Sequence, residues 1–229
     1  MISHSVPMDK DKAKKTKIIV KAPTQERSRQ TVATILEACS RLLIQEGFYS
    51  ITTDKIAKEA GVSIGSLYQF FGNKESVVQA VVKNLIEEDK KFITEHMRAI
   101  SPLPPETRIP AMVNLGVELY RRNSELRSKL TTVQYYVADA SYISDSIKFF
   151  QDVVRFNIPE VQGRNLEKMS YVFVNAFMGL ANTMSIDKPD YIHNNDIALE
   201  IGELFCSYLG GKKSTEAATP PKSNKGDYI

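Results

Sequence analysis

Residues 52–71 read TTDKIAKEAGVSIGSLYQFF, and the fold is decided here. The apolar positions Ile56, Ala57 and Ala60, then Leu67, Phe70 and Phe71, recur at spacings of three and four. That period predicts two short helices and not strands. Thr52 or Thr53 can cap the first helix and Ser63 the second, because a short hydroxyl satisfies an orphan N–H of the first turn. Gly61 supplies the left-handed residue that a tight turn between them needs. Ala57, four residues earlier, is small enough for the second helix to cross closely, and Val62 can plug the core beneath the turn. The second helix is left with a small polar N-terminal face of Ser63, Gly65 and Ser66. A helix end without bulk can enter a DNA major groove, about 12 Å wide, and its free backbone N–H groups favour phosphate.

Working outward, the helical period continues in both directions. Upstream, Val32, Ile35, Leu36, Cys39, Leu42 and Leu43 mark a helix that Gly47 stops. Downstream, Gly72 ends the second short helix and Asn73 caps a long one, Lys74 to about Ile100, with Glu75 in its first turn. Val78, Val81, Val82, Leu85 and Ile93 form its buried stripe. The run Glu87, Glu88, Asp89, Lys90, Lys91 reads as a solvated face. Pro102, Pro104 and Pro105 break the chain. Further helices are predicted from about Glu106 to Arg122, near Ser124–Leu130, and through Tyr136, Ala140, Ile143, Ile147, Phe150 and Val154. Pro159 and Gly163 form a turn. Two strong helices follow, one carrying Leu166, Met169, Phe173, Ala176, Phe177, Leu180 and Met184, the other Ile197, Ile201, Leu204, Phe205 and Tyr208. No stretch alternates as a strand would, and no internal repeat is visible, so the class is all-α.

Composition narrows the functional classes. The 229 residues are 42% hydrophobic and 25% charged, ordinary for a globular protein. No run of about 18 apolar residues occurs, so no membrane span is expected, and the lysine-rich N-terminus lacks the apolar stretch of a secretory signal. The two cysteines, Cys39 and Cys206, each lie in an apolar helical pattern and read as buried thiols, which fits a reducing cytoplasm. Residues 1–83 hold 13 Lys and Arg against 8 Asp and Glu, whereas residues 84–229 hold 17 against 19. That asymmetry suggests an anionic partner at one end. Much of it comes from Lys10, Lys12, Lys14, Lys15, Lys17 and Lys21, either a solvated disordered tail or a basic arm on phosphates. His4, His96 and His193 show no metal-ligand spacing, neither cysteine has an evident base, and no Gly-rich phosphate loop is present, so no catalytic residue, metal or cofactor is expected.

Residues 25–87 resemble the DNA-binding domain of the TetR (tetracycline repressor-like) family, through ILEACSRLLIQEGFYSITTDKIAKEAGVS and then GSLYQFFGNKESVV. Turn, recognition helix and following cap match in order and spacing over GVSIGSLYQFFGNKE. The resemblance implies an N-terminal three-helix helix-turn-helix domain at 25–87, with the motif at 52–71. A helical ligand-binding and dimerisation domain would span 88–209, flanked by tails at 1–24 and 210–229. It also implies a site. Thr53 and Tyr68 would hydrogen-bond phosphates, Lys74 would meet phosphate as a point charge, and Thr31 would add a contact near the start of the first helix. Thr52, Ser63, Ile64, Gly65, Ser66 and Gln69 complete the DNA-facing set, with Gln69 the best reader because an amide can pair bidentately with adenine. Ile64 departs from the family, which often carries Lys or Arg there. It either touches a thymine methyl or packs inward.

For the remainder, the resemblance implies a homodimer through the last two helices, where Gly179, Ala198 and Gly202 permit close approach. Paired recognition helices would then read a palindromic operator in double-stranded DNA. It implies a ligand cavity between the middle helices, with Phe92, His96, Met112, Tyr120, Tyr135, Tyr142, Phe149 and Phe177 as candidates; His96 either meets a ligand or lies at the surface. The resulting expectation is a cytoplasmic repressor, nucleoid-associated when bound, and released by a small apolar ligand. The alternative is a dimeric regulator without a small-molecule effector, controlled by a protein partner. A cavity of several hundred Å³ would favour the first and a filled core the second.

Overall fold

The computed structural model describes residues 26–137, 139–158, 165–187, 189–193 and 195–209. The two tails and the expected Pro159–Gly163 turn lie outside the described residues. All elements among the described residues are α-helices: α1 (Glu26–Glu46), α2 (Thr53–Glu59), α3 (Ile64–Phe70), α4 (Lys74–Ile100), α5 (Pro105–Arg121), α6 (Ser124–Thr131), α7 (Gln134–Val137), α8 (Ala140–Asn157), α9 (Leu166–Asp187), α10 (Pro189–His193) and α11 (Asn195–Leu209). None is long and apolar enough to cross a membrane.

The start and stop signals act where their chemistry predicts. Thr52, and not Thr53, caps α2, its hydroxyl accepting from Lys55 N at 3.2 Å. Ser63 caps α3, accepting from Ser66 N at 3.0 Å. Asn73 and Ser76 form a reciprocal capping box at the head of α4. Each such cap contributes about 1 kcal/mol. Gly47 and Gly61 hold positive φ, 76° and 66°, which an L side chain would strain.

Two differences from expectation have local causes. The helix predicted through Tyr136 and Val154 is two, because Asp139 leaves the helical conformation and caps α8 through Ser141 N at 2.8 Å. A short helix, α10, stands between the two strong helices, where none was predicted.

Two apolar cores organise the chain. The first gathers α1, α2, α3 and the head of α4 around Ile35, Leu43, Ile56, Leu67, Phe71 and Val78, and takes in Leu126, Leu130, Val133, Val137 and Ile143 from α6 to α8. The second packs the far half of α4 with α5, α8, α9 and α11 around Ile93, Met112, Val113, Phe173, Phe177 and Phe205. Cys39 and Cys206 are buried free thiols, one in each core. The long helix α4 runs through both.

Candidate nucleic-acid interface and buried cavity

Leu67, Phe70 and Phe71 seat α3 on the first core, with Val62 half-buried beneath the turn. The backbone turn is closed by Val62 N donating to Ala57 O at 3.0 Å, and the Ala57 side chain is buried in the same core. The same seating turns Ser63, Ile64, Gly65, Tyr68 and Gln69 outward. Ile64 is 37% exposed, so it does not pack inward. Ser63 and Ser66 hydroxyls lie 2.8 Å apart and bond one another. Tyr68 is half-exposed, and its hydroxyl stands 3.0 Å from Thr53 Oγ1, so the two hydroxyls assigned to phosphate are coupled.

Two other candidates are differently engaged. Lys74 Nζ donates to Phe48 O at 3.1 Å and Ile51 O at 3.3 Å, and lies 4.6 Å from the centre of the Phe48 ring. Two of its three N–H groups thus tie the head of α4 to the α1–α2 loop, leaving one for an outside acceptor. Thr31 stands in the second turn of α1, not at its end, and its hydroxyl donates back to Arg27 O at 2.9 Å. Its only proton is therefore spent within its own helix.

Beneath these elements, α4, α5, α6, α8 and α9 enclose a mostly apolar cavity of about 140 Å³. Met112, Tyr120 and Phe177 line it. Four other candidates lie off it for identifiable reasons. Phe92 is one step round α4 and is covered by the Arg122 guanidinium at 4.1 Å. The His96 ring packs on Phe92, with Nδ1 2.8 Å from Phe92 O. Tyr142 points along the outside of α4, its hydroxyl donating to Glu87 Oε1 at 2.5 Å under Lys83 and Lys90. Phe149 packs edge-on to Phe150, and it is Phe150 that reaches the cavity. The side chain of Tyr135 lies outside the described residues.

The cavity holds groups that composition alone did not flag. Asp89, read above as solvated, is 8% exposed and pairs with Arg127 of α6 in the cavity wall. Arg127 Nε also donates to Arg122 O at 3.1 Å, and its guanidinium lies 5.1 Å from the Tyr120 ring centre. Burial pushes the Asp89 carboxyl above its ordinary range, outweighing the opposing pull of Arg127. The spacing contained the signal: Val82, Leu85, Ile86, Ile93 and Met97 line the cavity, and Asp89 fills the gap in that stripe. Gly116 of α5 is required by contact, since a Cβ there would stand 2.8 Å from Phe177 Cζ.

Residues 35–81 match the family model described as "Bacterial regulatory proteins, tetR family". Over this segment the chain is similar to the TetR family. Among curated relatives, it is 31% identical over 96 residues to the HTH-type transcriptional regulator HbdR of Aromatoleum sp., covering 41% of this chain and 40% of that protein. It is 26% identical over 158 residues to the nucleoid occlusion factor SlmA of Glaesserella parasuis, covering 67% of this chain and 72% of that one. The chain spans less than two thirds of the length of the first curated relatives it matches, 40% for HbdR. The fold is similar to that of the fatty acid degradation regulator FadR from Bacillus halodurans, with TM-score 0.61 and 17% identity over 83% of this chain and 97% of that one.

Proposed function

We propose that this chain is a sequence-specific DNA-binding transcriptional regulator of the TetR family, acting as a homodimeric repressor that leaves a palindromic operator when a small apolar ligand enters the cavity. The observation that carries the reading is the seating of α3: three buried apolar side chains hold it, and Ser63, Ile64, Gly65, Tyr68 and Gln69 face out. In this reading Gln69 reads a base edge, Ile64 meets a thymine methyl, and the Thr53–Tyr68 pair and the remaining N–H of Lys74 hold phosphates.

The homodimer is supported by what the last long helices leave uncovered. Val172, Leu180 and Ile186 on α9 and Leu199 and Leu204 on α11 are exposed apolar side chains. No atom lies within 4 Å of where a Cβ would stand on Gly179 or Gly202, so packing within the chain does not require glycine at either position. Two-fold pairing there would set two recognition helices about one DNA turn apart. Ala198 is outside the described side chains.

Selection of bound duplexes from random DNA tests the reading. A palindrome with half-sites one helical turn apart is the expected result; recovery of no consensus sequence would sink it.

A second reading has its own support. The similarity to SlmA runs over more of both chains than that to HbdR, and a cavity of about 140 Å³ falls short of the several hundred expected of a drug-sized site. A regulator controlled by a protein partner would use the same interface and show no ligand-dependent release.

A further inference from the structure

The cavity has a chemistry narrow enough to name its ligand class, an inference that rests on the effector-binding reading above. Its volume of about 140 Å³ is close to that of an apolar cavity that accepts benzene, roughly 150 Å³. Its walls bring the rings of Tyr120, Phe150, Phe173 and Phe177 to one space. One-ring ligands therefore fit without displacing the core.

Charge sets the next limit. Asp89 and Arg127 neutralise each other in the wall. A ligand carrying net charge would be stripped of water with no counter-charge left to meet it. A carboxylate would also stand beside Asp89, and a cation beside Arg127.

Hydrogen bonding sets the last one. Arg127 already gives Nη2 to Asp89 and Nε to Arg122 O, with its face against Tyr120. Asp89, among the described residues, makes its one hydrogen bond through Oδ1. An ionised carboxylate only accepts, with room for several donors. Arg127 keeps further N–H groups, and the Gln134 and Asn182 amides also line the space, so the wall offers Asp89 as an acceptor beside donors, a mixture that a ligand hydroxyl can meet.

We propose that the cavity takes a small, uncharged aromatic molecule carrying a hydrogen-bond donor, of the phenol class, whose hydroxyl donates to Asp89 while its ring lies among the aromatic side chains. The contact would fall on the α4 partner of the α4–α6 ion pair. It would loosen the tie between α4, which carries the head of the DNA-binding domain, and α6, which packs under α1.

Calorimetric titration of the full chain with phenol, toluene, benzoate and benzylammonium tests this. Phenol should bind about tenfold more tightly than toluene, in keeping with a charge-assisted hydrogen bond net of desolvation, and the two ions should bind more weakly than either. Asp89→Asn leaves the buried Arg127 without its counter-charge and can fail to fold. The double variant Asp89→Leu with Arg127→Met keeps an apolar wall; it should bind toluene as before and lose the preference for phenol. Equal binding of phenol and toluene to the natural chain, tightest binding by benzoate or benzylammonium, or a phenol preference that survives the double variant would each overturn the donor assignment while leaving the cavity a ligand site. If none of the four binds, the effector-binding reading falls with it.

Discussion

Thr53 Oγ1 and Tyr68 Oη, fifteen residues apart in sequence, meet at 3.0 Å on the face that α2 and α3 turn outward. Two hydroxyls bear two protons, and one is consumed between them. The pair can offer a single proton to a phosphate, with the other hydroxyl acting as its brace. Removing either hydroxyl frees the survivor to donate alone. Tyr68→Phe and Thr53→Val should therefore each weaken DNA binding only slightly, about 0.5 kcal/mol, whereas the double variant should lose about 2 kcal/mol, the range for a hydrogen bond to a charged group. Fluorescence anisotropy on specific and scrambled duplexes measures both, and additive single effects would show that the hydroxyls act separately.

Lys74 joins structure to binding. Exchange for Met keeps the stem against Phe48 but strips Phe48 O and Ile51 O of a donor. Stability in urea should fall by about 1–2 kcal/mol. The salt dependence of DNA binding should flatten by about one phosphate contact. A stability loss with an unchanged salt slope would make Lys74 purely a tie.

Gln69→Ala should alter sequence preference more than overall affinity, because the side chain is exposed on α3 and caps nothing. Each misread base pair is worth about 1–3 kcal/mol. Selection from random DNA with the variant should relax one position of each half-site; an unchanged consensus would remove Gln69 as reader.

Gly116→Ala places a methyl 2.8 Å from Phe177 Cζ, a ring that also packs on Phe173 and Phe205. Overpacking of this kind costs about 1–3 kcal/mol. Adding Phe177→Leu should recover much of it, and thermal unfolding of the single and double variants gives the comparison.

Burial pushes the Cys39 thiol up to about 12 from 9.0. A raised pKa means that the folded state holds the proton more tightly, so this stabilisation is complete below pH 9 and fades as pH climbs towards 12. Urea midpoints should decline across that window, and a thiol reagent at pH 8 should leave Cys39 untouched until the protein unfolds. Rapid labelling of the folded chain would contradict the burial.

The helical class, the helix-turn-helix and the caps were legible because they depend on neighbours three or four residues apart. Thr52, Ser63 and Asn73 cap helices whose apolar faces announce them. The hydrogen-bond partners of Lys74 were not legible, since Phe48 and Ile51 lie in a loop more than twenty residues away. Aromatic side chains in α8 were visible, but a step of one residue, Phe149 to Phe150, separates the outside of a helix from a cavity, and periodicity alone leaves that rotation uncertain. Asp89 was lost among its charged neighbours, although its place in the apolar stripe of α4 was there to be read.

Leu126, Leu130 and Val133 share one core with Ile35, Leu43 and Ile56. A chimaera that cuts after residue 87 and grafts another relative's body would leave these helices facing an unmatched surface. The reading head is not a detachable part. Exchanging operator preference between relatives calls for point replacements on α3, or for moving α6 and α7 along with the head.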